Sequence, residues 1–134
     1  MNDQVNSQAG DLAAMDPAMG LRSAYGKRTF YVRLLAVFLE DAPRSLNSMQ
    51  QALSAGDLAS LQRLAHRMKG SAATLGLPEL QASLQALESA TRQAANLAVA
   101  GEHLANVALA WQGSALAIQA YIADAANPER ALNG

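Results

Sequence analysis

His66, Lys69 and Gly70 stand three and four residues apart in the run His66-Arg67-Met68-Lys69-Gly70-Ser71. On a helix that spacing brings all three to neighbouring positions on one side. An imidazole is a nucleophile and proton carrier. A lysine one turn further on supplies a charge-assisted hydrogen bond to an anion held by that imidazole. A phosphoryl group fits such a pair, with about two negative charges and three acceptor oxygens. Glycine in a helix interior loses about 0.8–1 kcal/mol relative to alanine. Side chains lean toward the helix N-terminus, so any side chain at position 70 would lie over His66. A bare position there keeps the imidazole open.

The helix that carries these residues has the clearest period in the chain. Leu58, Leu61, Ala65, Met68, Ala72 and Leu75 alternate steps of three and four, with Leu64 widening the seam. With His66 at zero and about 100° per residue, the seam averages near 220°, which turns His66 to the solvent side. Its neighbours are Ala59 at about 20°, Gln62 at about 320°, Lys69 at about 300°, Gly70 at about 40° and Ala73 at about 340°. A solvated face ordinarily holds Lys, Glu and Gln, whereas this one is a low platform of small residues. Arg63 and Arg67 join Lys69, so three of the ten Lys and Arg residues fall between positions 63 and 69. Such a strip attracts an acidic docking pocket.

The surrounding pattern predicts an all-α fold, an antiparallel four-helix bundle with a short additional N-terminal helix. Asp16-Pro17 reads as a cap and first turn, with Gly20 or Gly26 ending that short helix. From Lys27 a second helix carries Phe30, Tyr31, Leu34, Leu35, Phe38 and Leu39, then Leu46, Met49 and Leu53; Pro43 is expected to kink or divide it near Asp41-Ala42. Asp57 caps the histidine helix, Gly76 ends it and Pro78 opens the next, which runs to about Arg92. After a soft connection from Gln93 to Gly101, a last helix carries Leu104, Val107, Ala108, Trp111, Ala115, Ile118 and Ile122. Residues 1–14 read as a flexible tail or linker stub, 15–126 as the bundle and 127–134 as a frayed end. Tyr25 and Tyr31 are assigned to packing of the first helices against the bundle.

Composition closes off several function classes. A net charge of −1 leaves no basic stripe for nucleic acid. The absence of cysteine removes disulfides, thiolate metal sites and cysteine nucleophiles. Metal binding of the bundle-carboxylate kind needs Glu-x-x-His, and none of the five glutamates has a histidine three residues on. His103 borders the apolar face of the last helix and reads as a rim residue. With no bilayer-length apolar run and no secretory start, the expectation is a cytoplasmic chain without membrane insertion, by itself or tethered to a membrane protein.

The segment Ala65-His66-Arg67-Met68-Lys69-Gly70-Ser71-Ala72-Ala73-Thr74-Leu75-Gly76 resembles the histidine-containing phosphotransfer (HPt) domain of bacterial phosphorelays, whose motif is H-x-x-K-G. Leu35-Ala36-Val37-Phe38-Leu39-Glu40-Asp41-Ala42-Pro43, Ala55-Gly56-Asp57-Leu58 and Leu87-Glu88 extend the likeness over about residues 15–125. The resemblance implies that His66 is the phosphoacceptor, Lys69 steadies the phosphoryl group and Gly70 gives clearance. The platform and strip around the histidine, Ala59, Gln62, Arg63, Arg67 and Ala73, together with Glu88, are expected to contact the partner. Some members have a glutamine where this chain has Glu88. A carboxylate there repels phosphate, yet is able to hydrogen-bond the other imidazole nitrogen or Lys69, and both readings stay open.

The implied partners are response-regulator receiver domains, as donor and acceptor, with Mg²⁺ bound by the receiver and no cofactor or metal on this chain. No ATP-binding motif is present, so a carrier without autokinase activity is expected, and it is expected to be a monomer. The linker-like first residues favour the C-terminal domain of a hybrid sensor kinase over a free protein. The rival is a helical adaptor that binds a receiver or kinase without passing phosphate.

Overall fold

A computed structural model describes residues 12–93 and 96–127, and among these every regular element is helical. The order is α1 (Pro17–Ser23), α2 (Arg28–Ser54), α3 (Leu58–Leu75), α4 (Pro78–Gln93) and α5 (Leu97–Ala125). Helices α2 to α5 close a ring in which each packs on its chain neighbours and α5 returns to α2, while α1 lies against α3 and α2. This is the expected four-helix bundle with an added N-terminal helix. Helices α3 and α5 occupy opposite corners.

The ends of α3 follow from its sequence. Asp57 accepts the backbone N–H of Ser60 at 3.0 Å, and Gly76 closes the helix in the left-handed region at φ 75°. A side chain at position 76 would also strike the carbonyl of Asp16 and crowd the amide of Gly20. That close approach is used: the Asp16 amide donates to the Gly76 carbonyl at 2.7 Å. The buried Tyr31 hydroxyl donates to the Leu75 carbonyl at 2.6 Å. Burial pushes the Tyr31 phenol up to about 12, with Tyr121 and Asp16 adding to the shift. The C-terminus of α3 is thus tied to both α1 and α2.

The core takes Tyr31, Leu35, Phe38 and Met49 from α2, and Leu61, Ala65, Met68, Ala72 and Leu75 from α3. From α4 it takes Leu80, Leu84 and Leu87, and from α5 Leu104, Val107, Trp111 and Ile118. Edge-to-face pairs Tyr31–Tyr121 and Phe38–Trp111, both with centroids 5.4 Å apart, join α2 to α5.

Several boundaries differ from the sequence reading. Helix α2 is not divided at Pro43, which lies on its exposed face. Of the two glycines expected to end α1, Gly26 is the one that does, at φ 72° with its amide donating to the Leu21 carbonyl at 2.7 Å. Gly20 instead sits buried inside the helix, where a Cβ would collide with the Leu75 carbonyl and the Tyr31 ring. The Gln93–Gly101 connection is shorter than expected. Asn96 caps α5 by accepting from the amides of Ala98 (2.9 Å) and Val99 (3.3 Å). Tyr25 is not in the packing: it is 84% exposed at positive φ in the turn before α2. Phe30 is likewise turned out. The expected tail at 1–14 and frayed end at 127–134 fall largely outside the described residues. Within the described part, the Ala13 carbonyl accepts from the Glu79 amide at 3.1 Å.

Candidate functional site

Helix α3 turns His66 outward with its side chain 68% exposed, as its angle from the seam requires. The ring is anchored rather than free. Its Nδ1 lies 2.8 Å from Oε2 of Glu88, on α4. The same carboxylate accepts from Lys69 Nζ at 2.6 Å through Oε1, and Arg92 pairs with Oε2 at 2.8 Å. Gln85 Oε1 takes a second hydrogen bond from Lys69 Nζ at 2.8 Å. Glu88 is therefore a buried carboxylate among three cationic or basic groups, its side chain only 5% exposed.

The partners of Glu88 favour its ionised form, and that form in turn selects the histidine tautomer. The Lys69 hydrogen bond is the largest cause lowering the Glu88 pKa, opposed by desolvation and aided by the His66 bond. An ionised carboxylate only accepts, so Nδ1 carries the hydrogen and the neutral ring has its lone pair on Nε2. Among the described residues, Nε2 has no hydrogen-bond partner. Anchoring one nitrogen of a ring while exposing the other produces an oriented nucleophile.

The expected neighbours divide into two groups. Gln62, Lys69 and Ala73 are half-buried toward α4, so the platform is not equally open on both sides. Ala59, Arg63, Arg67 and Gly70 are exposed. Arg63 donates to Ser60 Oγ at 2.9 Å, joining the α3 cap network. A Cβ built at Gly70 meets nothing within 4 Å, so no contact of this chain requires glycine there. A shallow groove lined by Gln62, Arg63, His66, Arg67, Glu88 and Arg92 runs between α3 and α4. On the α2 side an apolar groove of about 580 Å³ reaches Gly70, with Val37 57% exposed at its wall.

Arg92 and Gln85 were missed by the sequence reading. Both were within reach of it: Arg92 is four residues after Glu88, and Gln85 three before, on one face of α4. His103 lines a separate groove between α4 and α5, half-buried as a rim residue. No cluster of three metal-ligating side chains occurs among the described residues. No helix there is long and apolar enough to cross a membrane.

A family model described as the Hpt domain matches residues 33–127. The fold is similar to that of the HPT domain from a sensor hybrid histidine kinase from Shewanella, with TM-score 0.74 and 18% identity over 85% of this chain and 97% of that one. No curated protein matches.

Proposed function

Because the chain belongs to the Hpt domain family, whose members act in histidine phosphotransfer within two-component phosphorelays, we propose that His66 is its phosphoryl carrier. The supporting observation is the anchored Nδ1 beside an exposed Nε2. Nε2 attacks the phosphorus of an aspartyl phosphate on a receiver domain. The N–P bond forms as the P–O bond to the aspartate breaks, and the aspartate leaves as carboxylate. The ring gains positive charge while Nδ1 keeps its hydrogen, and Glu88 stabilises that charge through the bond it already makes. Transfer to a second receiver reverses these steps.

The worry that a carboxylate beside the histidine repels phosphate is met by its pairing. Lys69 and Arg92 both contact Glu88, so the cluster as a whole does not present an unbalanced negative charge. Lys69 acts on the phosphoryl group as a nearby cation, held one turn away by Glu88 and Gln85. Positioning and charge neutralisation are most of what phosphoryl transfer needs. The receiver is assigned the acidic pocket and Mg²⁺, and this chain the nucleophile. Gly70 gives the docking partner room, since its own chain makes no use of the space. Hpt domains are carriers rather than kinases, and labelling from ATP alone is not expected.

The test is incubation with a phosphorylated receiver. Wild-type chain should take up an acid-labile, base-stable label, and His66→Gln should take up none while keeping its helical circular dichroism. Undiminished label on the variant refutes the assignment. Binding without label on wild type supports the adaptor reading instead.

A further inference from the structure

Helix α5 carries no Lys, Arg, Asp or Glu between positions 103 and 123. This is not because it is buried all round. Leu109 is 64% exposed and Leu116, seven residues on, 69%. Ala105, Gln112 and Ala120 are exposed on the same side, and Gly113 half-exposed. Counted at about 100° per residue, these positions fall within roughly 60° of Leu109, a single stripe along the helix. Surface helices normally put charge there. Depletion of charge together with exposed leucine marks the centre of an interface.

The stripe is close to its own mirror in residue size. About the point between Gln112 and Gly113, Leu109 corresponds to Leu116 and Ala105 to Ala120. We infer that this face pairs α5 antiparallel with α5 of a second copy of the chain, about a two-fold axis through that point. Leu109 of each copy then meets Leu116 of its partner, two such contacts per dimer, and alanine meets alanine on either side, which lets the helices approach closely. A two-fold contact juxtaposes a surface with itself. An uncharged stripe tolerates that, whereas a strip like that on α3 would set like charges against one another. At the flank, beside Gly113, stand Glu79, whose Oε1 lies 3.5 Å from where a Cβ of Gly113 would be, and the Ala14 methyl at 3.9 Å.

The area sets the strength. The sixteen residues from Ala105 to Ala120 offer a stripe about 24 Å by 10 Å, or ~240 Å² per copy, well short of the ~800 Å² of a standard stable interface. The groove beside it, lined by Ala82, Ala86 and Ala110 and about 480 Å³ in volume, adds apolar surface on the α4 side. The product is a reversible dimer formed at high chain concentration. Since α5 lies at the corner opposite α3, pairing leaves both His66 residues uncovered. The inference stands independently of the phosphoryl-transfer reading.

Sedimentation of the whole chain over rising concentration tests it. Wild type should pass from monomer to dimer, and Leu109→Glu with Leu116→Glu should stay monomeric with unchanged circular dichroism and thermal midpoint. The chain has no cysteine, so single cysteines report geometry. A chain with Ala105→Cys mixed with one with Ala120→Cys should cross-link to each other under mild oxidation in preference to themselves. Glu79→Gln should strengthen the dimer. A wild type that stays monomeric up to millimolar concentration overturns the proposal and leaves the stripe for an unlike partner. Preferential self-linking of Ala105→Cys overturns the antiparallel arrangement.

Discussion

The outer faces of α3 and α5 lie at opposite corners of one bundle and solve exposure in opposite ways. Helix α3 places Arg63, Arg67 and Lys69 around an outward histidine, whereas α5 presents leucine, alanine and glutamine with no charge from 103 to 123. A cationic strip speeds encounter with an acidic partner and lets it leave again, since exposed charges contribute more to on-rate than to affinity. An uncharged strip has no such steering and gains only from contact. The two faces are therefore suited to different neighbours, the first to a transient unlike domain and the second to a like surface.

The largest separation of the two faces is expected from paired variants. His66→Gln should abolish label uptake from a phosphorylated receiver, and Leu109→Glu with Leu116→Glu should leave it at the wild-type level. A loss in the α5 variant would break the division of labour. Next in size is Glu88→Ala, which removes the acceptor shared by His66, Lys69 and Arg92. Loss of about 1–3 kcal/mol is expected in denaturant unfolding, with slower transfer because Nδ1 loses its anchor. Glu88→Gln, which still offers an oxygen acceptor to Lys69, should recover part of the stability. If Glu88→Ala transfers at the wild-type rate, the anchoring argument fails.

Acid titration sharpens the role of that carboxylate. Glu88 is held below its ordinary value of 4.5, first by the Lys69 hydrogen bond. Its ionised form is thus favoured more in the folded chain than in the unfolded one. The associated stability is present in full above the ordinary value and is lost as pH falls through the lower folded value. Melting curves should show wild type losing more stability than Glu88→Gln as pH falls below the ordinary value of 4.5. Parallel curves would mean that the pairing contributes nothing to folding.

The smallest effects concern Gly70. Gly70→Ala should stabilise the chain by about 0.5–1 kcal/mol, because helix propensity improves and the new methyl meets nothing of its own chain. Gly70→Gln should keep the helix yet slow transfer. Equal transfer rates for wild type and Gly70→Gln would remove the clearance argument. The same test at buried Gly20 has the opposite sign, since Gly20→Ala would drive a methyl into the Leu75 carbonyl and Tyr31.

Much of the fold was legible because local signals agreed. Helix α3 runs from Leu58 to Leu75 as expected, since Asp57, the three-and-four spacing and Gly76 all point to the same ends. Where one local signal stood alone it misled. Pro43 reads as a breaker, but a long helix already packed along α3 and α5 tolerates one lost hydrogen bond on its wet side. Gly20 and Gly26 both read as stops for α1, yet only Gly26 follows its last turn, while the absent side chain of Gly20 serves a close approach from α3. Of the site, His66, Lys69 and Gly70 were readable from spacing on one helix, and a bond from Glu88 to the imidazole or Lys69 was one of two open readings. That Glu88 makes both, and also pairs with Arg92, depends on how α4 is rotated against α3.

Sequence by itself determined which residues share a helix face, where α3 is capped, and that an imidazole, an ammonium and a bare position lie within one turn of each other. Those are consequences of 3.6 residues per turn and of side-chain type. Only the tertiary structure decided that Glu88 is buried, ionised and bonded to Nδ1, leaving Nε2 as the outward nitrogen. The apolar stripes of α3 and α4 say which faces meet, but the fine rotation that brings one α4 side chain up to the imidazole is set by the packing of both helices against their neighbours.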